Sequence, residues 1–130
     1  VTRLLPPAFY GLPHDYRELG PSYRVTCPEG VAVWNRMLAR SGVDTVPPSF
    51  ANSVRWTDLQ AFAFPVFVTT GDADLYAPPA NARLIASHIP GARLAILPDA
   101  GHSPWWETPE RYNREIIAFL DEVERQERAA

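Results

Sequence analysis

The sequence has one cysteine and no apolar run that approaches the length of a membrane span. Cys27 cannot form an intrachain disulfide, so a reducing compartment is permitted and we expect a cytoplasmic protein. A bilayer-spanning helix needs about 20 apolar residues, so no membrane partner is expected. The formal net charge of -3 gives no electrostatic reason to expect nucleic acid as a partner. Three scattered histidines and one cysteine do not form a ligand cluster, so neither a metal nor another cofactor is expected.

The chain also lacks an initiator methionine. It starts with Val1, and we therefore expect it not to be the start of a translated product. Its 130 residues are typical of one modest domain, and its 46% apolar and 21% charged residues are typical of a soluble globular protein. The 14 prolines favour many short elements over a bundle of long helices.

The first part of the chain is predicted to be mostly irregular. Prolines and glycines interrupt any long periodic pattern in residues 1–27. A helix is predicted from Pro28 to about Arg40, because proline suits a first turn and the apolar residues that follow have helical spacing. A short second helix is predicted over residues 53–61.

The rest of the chain alternates strands with helices. The apolar, β-branched run at residues 65–70 predicts a strand that is covered on both faces, and residues 93–97 predict a second strand. Helices are predicted from Pro79, between the strands, and from Pro109, after them. This alternation predicts an α/β fold with parallel strands.

Two strands make an incomplete sheet. Both edges would be open and apolar, although strands this hydrophobic need neighbours on both sides. The last helix has an apolar face, including Ile117 and Leu120, that we expect to be buried. The sequence therefore implies missing strands, supplied by another chain or by the rest of a longer protein.

Acidic side chains and a histidine follow the two predicted strands. Asp72 and Asp74 come directly after the first strand, and His102 follows the second. Each feature alone has an ordinary structural explanation, since aspartate is common in turns and a loop histidine is often a surface residue. Parallel pairing, however, places neighbouring strands about 5 Å apart, so we expect the acid and the histidine side by side. An acid that orients a histidine base is the second part of a Ser-His-Asp triad.

The stretch PVFVTTGDADLYAPP … IPGARLAILPDAGHSPWWETPERYNREIIAFL resembles the end of the α/β-hydrolase family. That family ends with a strand, G-x-x-D-x-x-x-P, a helix, a second strand, A-G-H-x-x-x-x-E-x-P and a long final helix. The residues that match these motifs are Gly71, Asp74, Pro78, Ala100, Gly101, His102, Glu107 and Pro109. The resemblance covers about residues 62–122. It implies the C-terminal part of an α/β-hydrolase fold, with Asp74 as the triad acid and His102 as the general base.

Asp72 is the alternative to Asp74 as the triad acid. It lies earlier in the same turn, where it would hold the loop, and only Asp74 has the position of the family motif. The spacing of 28 residues between Asp74 and His102 is also typical of the family.

Residues 1–58 correspond by resemblance to the lid segment of the family, and residues 59–130 to the C-terminal part of its core. The segment ELGPSYRVTCPEGVAVW is similar to lid sequences of some bacterial hydrolases. Because family lids line the substrate pocket, the candidate substrate-binding residues are Phe9, Tyr10, Tyr23, Trp34 and Met37, together with Trp105 beside the histidine. Packing between lid and core is the alternative explanation for each of them.

The nucleophile of the family is missing. It sits in G-x-S-x-G on a sharp turn between a strand and a helix, and no serine of this sequence has glycines at both second neighbours. Ser103 adjoins the expected base and cannot also serve as nucleophile. We therefore expect the chain to be inactive alone and the serine to come from an N-terminal half of the same hydrolase, as a separate chain or fragment.

The resemblance implies a serine hydrolase for an ester, a lactone or a similar small apolar carbonyl substrate. Hydrolysis of a carbon–carbon bond, an epoxide or a haloalkane is the alternative within the fold, the last two with an aspartate nucleophile. The chain could be one product of a cleaved polypeptide, a fragment of a longer hydrolase, or a non-catalytic binding or scaffold protein. The open sheet argues against the last of these. Assembly into a homo-oligomer also stays open.

Overall fold

The computed structural model describes residues 6–41 and 54–129, in which eight helices accompany a two-stranded parallel sheet. Strands β1 (Phe67–Gly71) and β2 (Arg93–Leu97) pair from Phe67 opposite Arg93 to Gly71 opposite Leu97. The helices are α1 (Pro7–Tyr10), α2 (His14–Glu18), α3 (Pro21–Thr26), α4 (Pro28–Ser41), α5 (Trp56–Leu59), α6 (Pro79–Ser87), α7 (Pro104–Glu107) and α8 (Pro109–Ala129). The predicted α/β class and the parallel pairing are confirmed.

The prediction that residues 1–27 are irregular is wrong for the described part of that segment. Three short helices, α1 to α3, occupy it. Pro7 and Pro21 each stand at the start of a helix, where a missing N–H costs nothing, so these prolines begin helices and do not interrupt them. Residues 1–5, and residues 42–53 with the expected start of the second helix, lie outside the described residues.

The crossover between the strands places β1 and β2 side by side. Helix α6 begins at Pro79 and packs on the sheet, and Ile89, just beyond it, is buried. Helix α8 lies against β2, and the ring of its Phe119 also stacks on Phe67 of β1, with centroids 5.3 Å apart. The Arg93 guanidinium contacts the carboxylate of Glu115 at 3.0 Å. The polypeptide thereby brings the C-terminal ends of both strands to one edge of the sheet.

The sheet and the last helix are only partly covered by the described residues. The side chains of β1 and β2 are half-buried over most of their length, and full burial is reached only at Thr70, Gly71 and Leu97. Ile117 and Leu120 of α8 are 56% and 52% exposed, so the expectation that they are buried is wrong within this chain. Among the described helices, none is long and apolar enough to cross a membrane.

Candidate active site

Asp74 lies in the turn after β1, and its side chain is only 4% exposed. Its Oδ1 accepts hydrogen bonds from the N–H groups of Tyr76, at 2.8 Å, and Ala77, at 2.9 Å. The hydroxyl of Thr70 lies 3.0 Å from Oδ2 and 2.7 Å from the carbonyl oxygen of Ala77, so it donates to one of them at a time. The turn thus encloses the carboxylate and fixes its orientation.

His102 follows β2 and faces Asp74 across the edge of the sheet. Its Nδ1 lies 2.9 Å from Oδ2 of Asp74. Since an ionised carboxylate only accepts hydrogen bonds, Nδ1 carries the proton. The histidine ring packs against the ring of Tyr76, with centroids 4.7 Å apart. The side chain is 42% exposed, and within the described chain Nε2 has no hydrogen-bond partner.

Burial and hydrogen bonding act in opposite directions on the pKa values of this pair. Burial raises the pKa of Asp74, but the hydrogen bonds from His102, Ala77 and Thr70 outweigh it, and the pKa lies below the usual value. The hydrogen bond with Asp74 raises the pKa of His102 above its usual value, although burial opposes it. The negative charges of Asp74 and Glu18 add to that rise. The site therefore stabilises an imidazolium, as a general base requires.

The structure places Asp74, and not Asp72, beside the histidine. Asp72 is exposed, and its backbone N–H donates to the carbonyl oxygen of Leu97 at 2.9 Å. This bond continues the contact between the two strand ends by one residue. Asp72 thus lies in the same turn without reaching His102.

Gly71 allows the two strand ends to approach closely. A Cβ atom at this position would lie 2.0 Å from the carbonyl oxygen of Ala100. The same oxygen accepts a hydrogen bond of 2.9 Å from the N–H of Ala73. The glycine that precedes the acid therefore provides room for the loop that carries His102.

Four of the six candidate pocket residues, Tyr23, Trp34, Met37 and Trp105, occupy different surroundings. Trp34 is buried, lies 5.4 Å from Trp106 between ring centroids, and donates from Nε1 to the Glu18 carboxylate at 3.2 Å. Tyr23 is half-buried near Cys27, and burial followed by the hydrogen bond with Cys27 raises its pKa. Met37 on α4 and Trp105 on α7 are 44% and 51% exposed, respectively.

A cavity of about 430 Å³ opens beside Asp74. Segment 16–24 forms one wall, with Tyr16, Leu19 and Arg24, and the turn after β1 forms the other wall with Asp72 and Leu75. None of the six candidate pocket residues lines this cavity.

Sequence reasoning missed Thr70, Tyr76 and Glu18 as neighbours of Asp74 and His102. Thr70 and Tyr76 flank Asp74 closely in sequence, so their proximity was a usable signal. Glu18 reaches the site through its backbone oxygen, which accepts hydrogen bonds from the N–H groups of His102 and Ser103. No sequence signal identifies such a contact. In the described part of the chain, no group of three or more potential ligand residues could hold a metal ion.

No family model matches the chain. The polyketide synthase ThaQ of Burkholderia thailandensis is 38% identical over 65 residues, which are 50% of this chain and 3% of ThaQ. The structure of a thermophilic esterase from Thermogutta terrifontis superposes with a TM-score of 0.76 and 30% identity, over 85% of this chain and 42% of the esterase. An enol-lactonase from Burkholderia xenovorans has a TM-score of 0.65 at 23% identity, over 81% of this chain and 41% of the lactonase, and shows the shared fold alone. The chain spans less than half of the length of these proteins.

Proposed function

We propose that this chain supplies the acid and the base of a serine hydrolase. The proposal starts from its fold, which is that of the C-terminal part of an α/β-hydrolase. One observation carries the proposal. Nδ1 of His102 is held by the buried carboxylate of Asp74, while Nε2 is free of partners within the described chain. This is the arrangement that an imidazole needs to accept a proton from a nucleophile.

In the proposed reaction a serine of the missing half attacks the carbonyl carbon of the substrate. Nε2 of His102 accepts the serine proton, and Asp74 stabilises the resulting imidazolium. Collapse of the tetrahedral intermediate breaks the bond to the leaving group, which takes up from Nε2 the proton that came from the serine. A water molecule then attacks the acyl-enzyme with the same base, which releases the acid product and restores the serine.

The proposed partner is an N-terminal half that carries the nucleophile, in the same polypeptide or as a separate chain. The half-buried strands and the exposed apolar side chains of α8 support it, because apolar surface of this kind needs a cover. Residues 1–58 act as the lid in this proposal. In support, segment 16–24 already forms a wall of the cavity beside Asp74.

An ester or a lactone is the proposed substrate class. The 30% identical structure from Thermogutta terrifontis is that of an esterase, which supports this class, and a lactone is a cyclic ester. Carbon–carbon, epoxide and haloalkane hydrolysis would use the same acid and base with a different substrate or nucleophile. Labelling of a serine by a phosphonate or fluorophosphonate ester would exclude epoxide and haloalkane hydrolysis, which use an aspartate nucleophile. Comparison of the turnover of an ester with that of a carbon–carbon substrate would separate the two serine-dependent reactions.

The test uses the assembled enzyme. Intact mass spectrometry first identifies the nucleophile-bearing part that accompanies the chain. His102→Ala should then lower ester turnover by about 10⁴-fold or more without changing assembly. His88→Ala, which removes a histidine at the end of α6, is the matched control and should leave turnover unchanged. Retained turnover in His102→Ala would remove this histidine from the mechanism.

A further inference from the structure

Glu107 is a buried acid that the proposed mechanism does not use. It is the last residue of α7 and is only 8% exposed. Its two carboxylate oxygens accept hydrogen bonds from two separate segments. Oε2 accepts from the N–H of Gly20 at 2.6 Å, and Oε1 accepts from the N–H of Gly101 at 2.9 Å.

The same two segments also touch through their backbones. The carbonyl oxygen of Glu18 accepts hydrogen bonds from the N–H groups of His102, at 2.9 Å, and Ser103, at 3.1 Å. A Cβ atom on Gly101 would lie 2.6 Å from the backbone nitrogen of Gly20, so there is no room for a side chain between them. Segment 18–20 and loop 100–103 are therefore in close backbone contact. The Glu18 carbonyl bonds the loop directly, and the Glu107 carboxylate bonds both segments.

We propose that Glu107 is a positioning residue for His102, and that its carboxylate holds loop 100–103 against segment 18–20. Loop 100–103 carries the imidazole, so its placement decides whether Nδ1 remains on Asp74. The inference rests on the proposed function for the role of His102 as a base, whereas the contacts themselves do not depend on it.

A carboxylate is needed at this position because both of its oxygens accept. Glutamine has one acceptor oxygen, and its amide group would direct N–H toward the N–H of Gly20 or Gly101. Burial raises the pKa of Glu107, and the N–H groups of Gly20, Gly101 and Ser103 only partly offset this rise. The ionised form is thus maintained by the contacts that it makes, and protonation would release one of the two segments.

The experiment follows the imidazole of His102 by NMR in the full chain, together with any partner that accompanies it in the cell. Spectra of wild type, Glu107→Gln and Glu110→Gln are compared, and a His102→Gln sample assigns the signal. Glu110 is exposed on α8 and gives a matched control. In Glu107→Gln we expect the pKa of His102 to fall toward its ordinary value of about 6.5, with no change in Glu110→Gln. A folded Glu107→Gln chain with an unchanged pKa of His102 would overturn the proposal.

A second measurement needs no variant, in case Glu107→Gln does not fold. The amide proton shifts of Gly20 and Gly101 are recorded in wild type as the pH is lowered. Both should follow a single titration with one midpoint, because both N–H groups donate to the same carboxylate. Two different midpoints, or no titration at either amide, would contradict the proposal that Glu107 holds both segments.

Kinetics separate this inference from the proposed function. In the assembled enzyme Glu107→Gln should lower kcat by at least about tenfold with little change in KM, because the base is misplaced and the pocket is not. If the NMR changes occur but the wild-type assembly hydrolyses no ester, the proposed function fails and the positioning role of Glu107 stands.

Discussion

Two adjacent threonines of β1 have hydroxyl groups with opposite surroundings. The hydroxyl of Thr70 lies within hydrogen-bond distance of Asp74 and of the Ala77 carbonyl. The hydroxyl of Thr69 is buried and has no partner within the described part of the chain. A buried hydroxyl without a partner lowers stability, whereas a hydroxyl that donates a hydrogen bond to a buried carboxylate raises it.

Substitution by valine should therefore have different effects at these two positions. Thr70→Val should lower the free energy of unfolding by about 1–2 kcal/mol and raise the pKa of Asp74, because the carboxylate loses a donor. Thr69→Val keeps the shape of the side chain and should leave stability unchanged or raise it by about 1 kcal/mol. Urea unfolding of both variants measures the difference, and equal losses at the two positions would contradict this account.

Asp74→Asn should change the pH dependence of stability. The raised pKa of His102 gives stability that is fully present below its unfolded value of about 6.5 and is lost as the pH rises through the folded value. The lowered pKa of Asp74 gives stability that is present above about 3.9 and is lost as the pH falls through the folded value. The free energy of unfolding of wild type should therefore exceed that of Asp74→Asn most between about pH 3.9 and about pH 6.5.

Urea midpoints measured near pH 5.5 and near pH 9 test this expectation. The difference between wild type and Asp74→Asn should be smaller at the higher pH, because His102 is then neutral in both proteins. Asp72→Asn is the control, since its carboxylate does not contact the histidine, and it should follow wild type at both pH values. An equal difference for Asp74→Asn at the two pH values would be inconsistent with the ion pair.

At the scale of elements, the ends of β1 and β2 depend on close backbone contact. Gly71→Ala should lower the free energy of unfolding by about 3 kcal/mol or more, because the new Cβ would meet the rigid carbonyl of Ala100. Gly11→Ala is the control, since its Cβ would have ordinary contact at 3.5 Å and its φ of -83° suits any residue. Thermal unfolding of both variants gives the comparison. Similar melting temperatures would show that the strand ends can separate without cost.

The strands and their ends were predictable from the sequence, whereas the contacts of segment 6–26 were not. The apolar run before Gly71 and the residues 93–97 indicate buried strands, and parallel pairing then brings Asp74 near His102. Helices α1 to α3 are too short for a periodic pattern to identify them. The contact of Glu18 with loop 100–103 joins residues more than 80 positions apart through a backbone oxygen, which any side chain supplies equally well.

At the scale of the whole molecule, α8 presents apolar side chains that stay exposed among residues 6–41 and 54–129. If the proposed nucleophile-bearing part covers this face, Leu120→Lys should weaken its association by at least about tenfold, because a charge would then be buried at the contact. Ala118→Lys introduces the same charge at a neighbouring exposed position and should have a smaller effect. If the two parts are separate chains, their dissociation constant measures the loss of association. If they are one polypeptide, the urea midpoint measures the loss of stability. Equal effects at both positions would assign the partner contact to another face.

The turn between α6 and β2 is a suitable site for a label, because it lies at the opposite end of β2 from His102. Gly91 has a φ of 71°, and apart from its chain neighbours no atom of the described residues lies within 4 Å of the position that a Cβ would take. It precedes the start of β2, whereas His102 follows the other end, and five residues of strand span about 16 Å. A fluorophore or a surface-coupling tag inserted at Gly91 would therefore report on the protein, or immobilise it, without touching the chemistry at the opposite end.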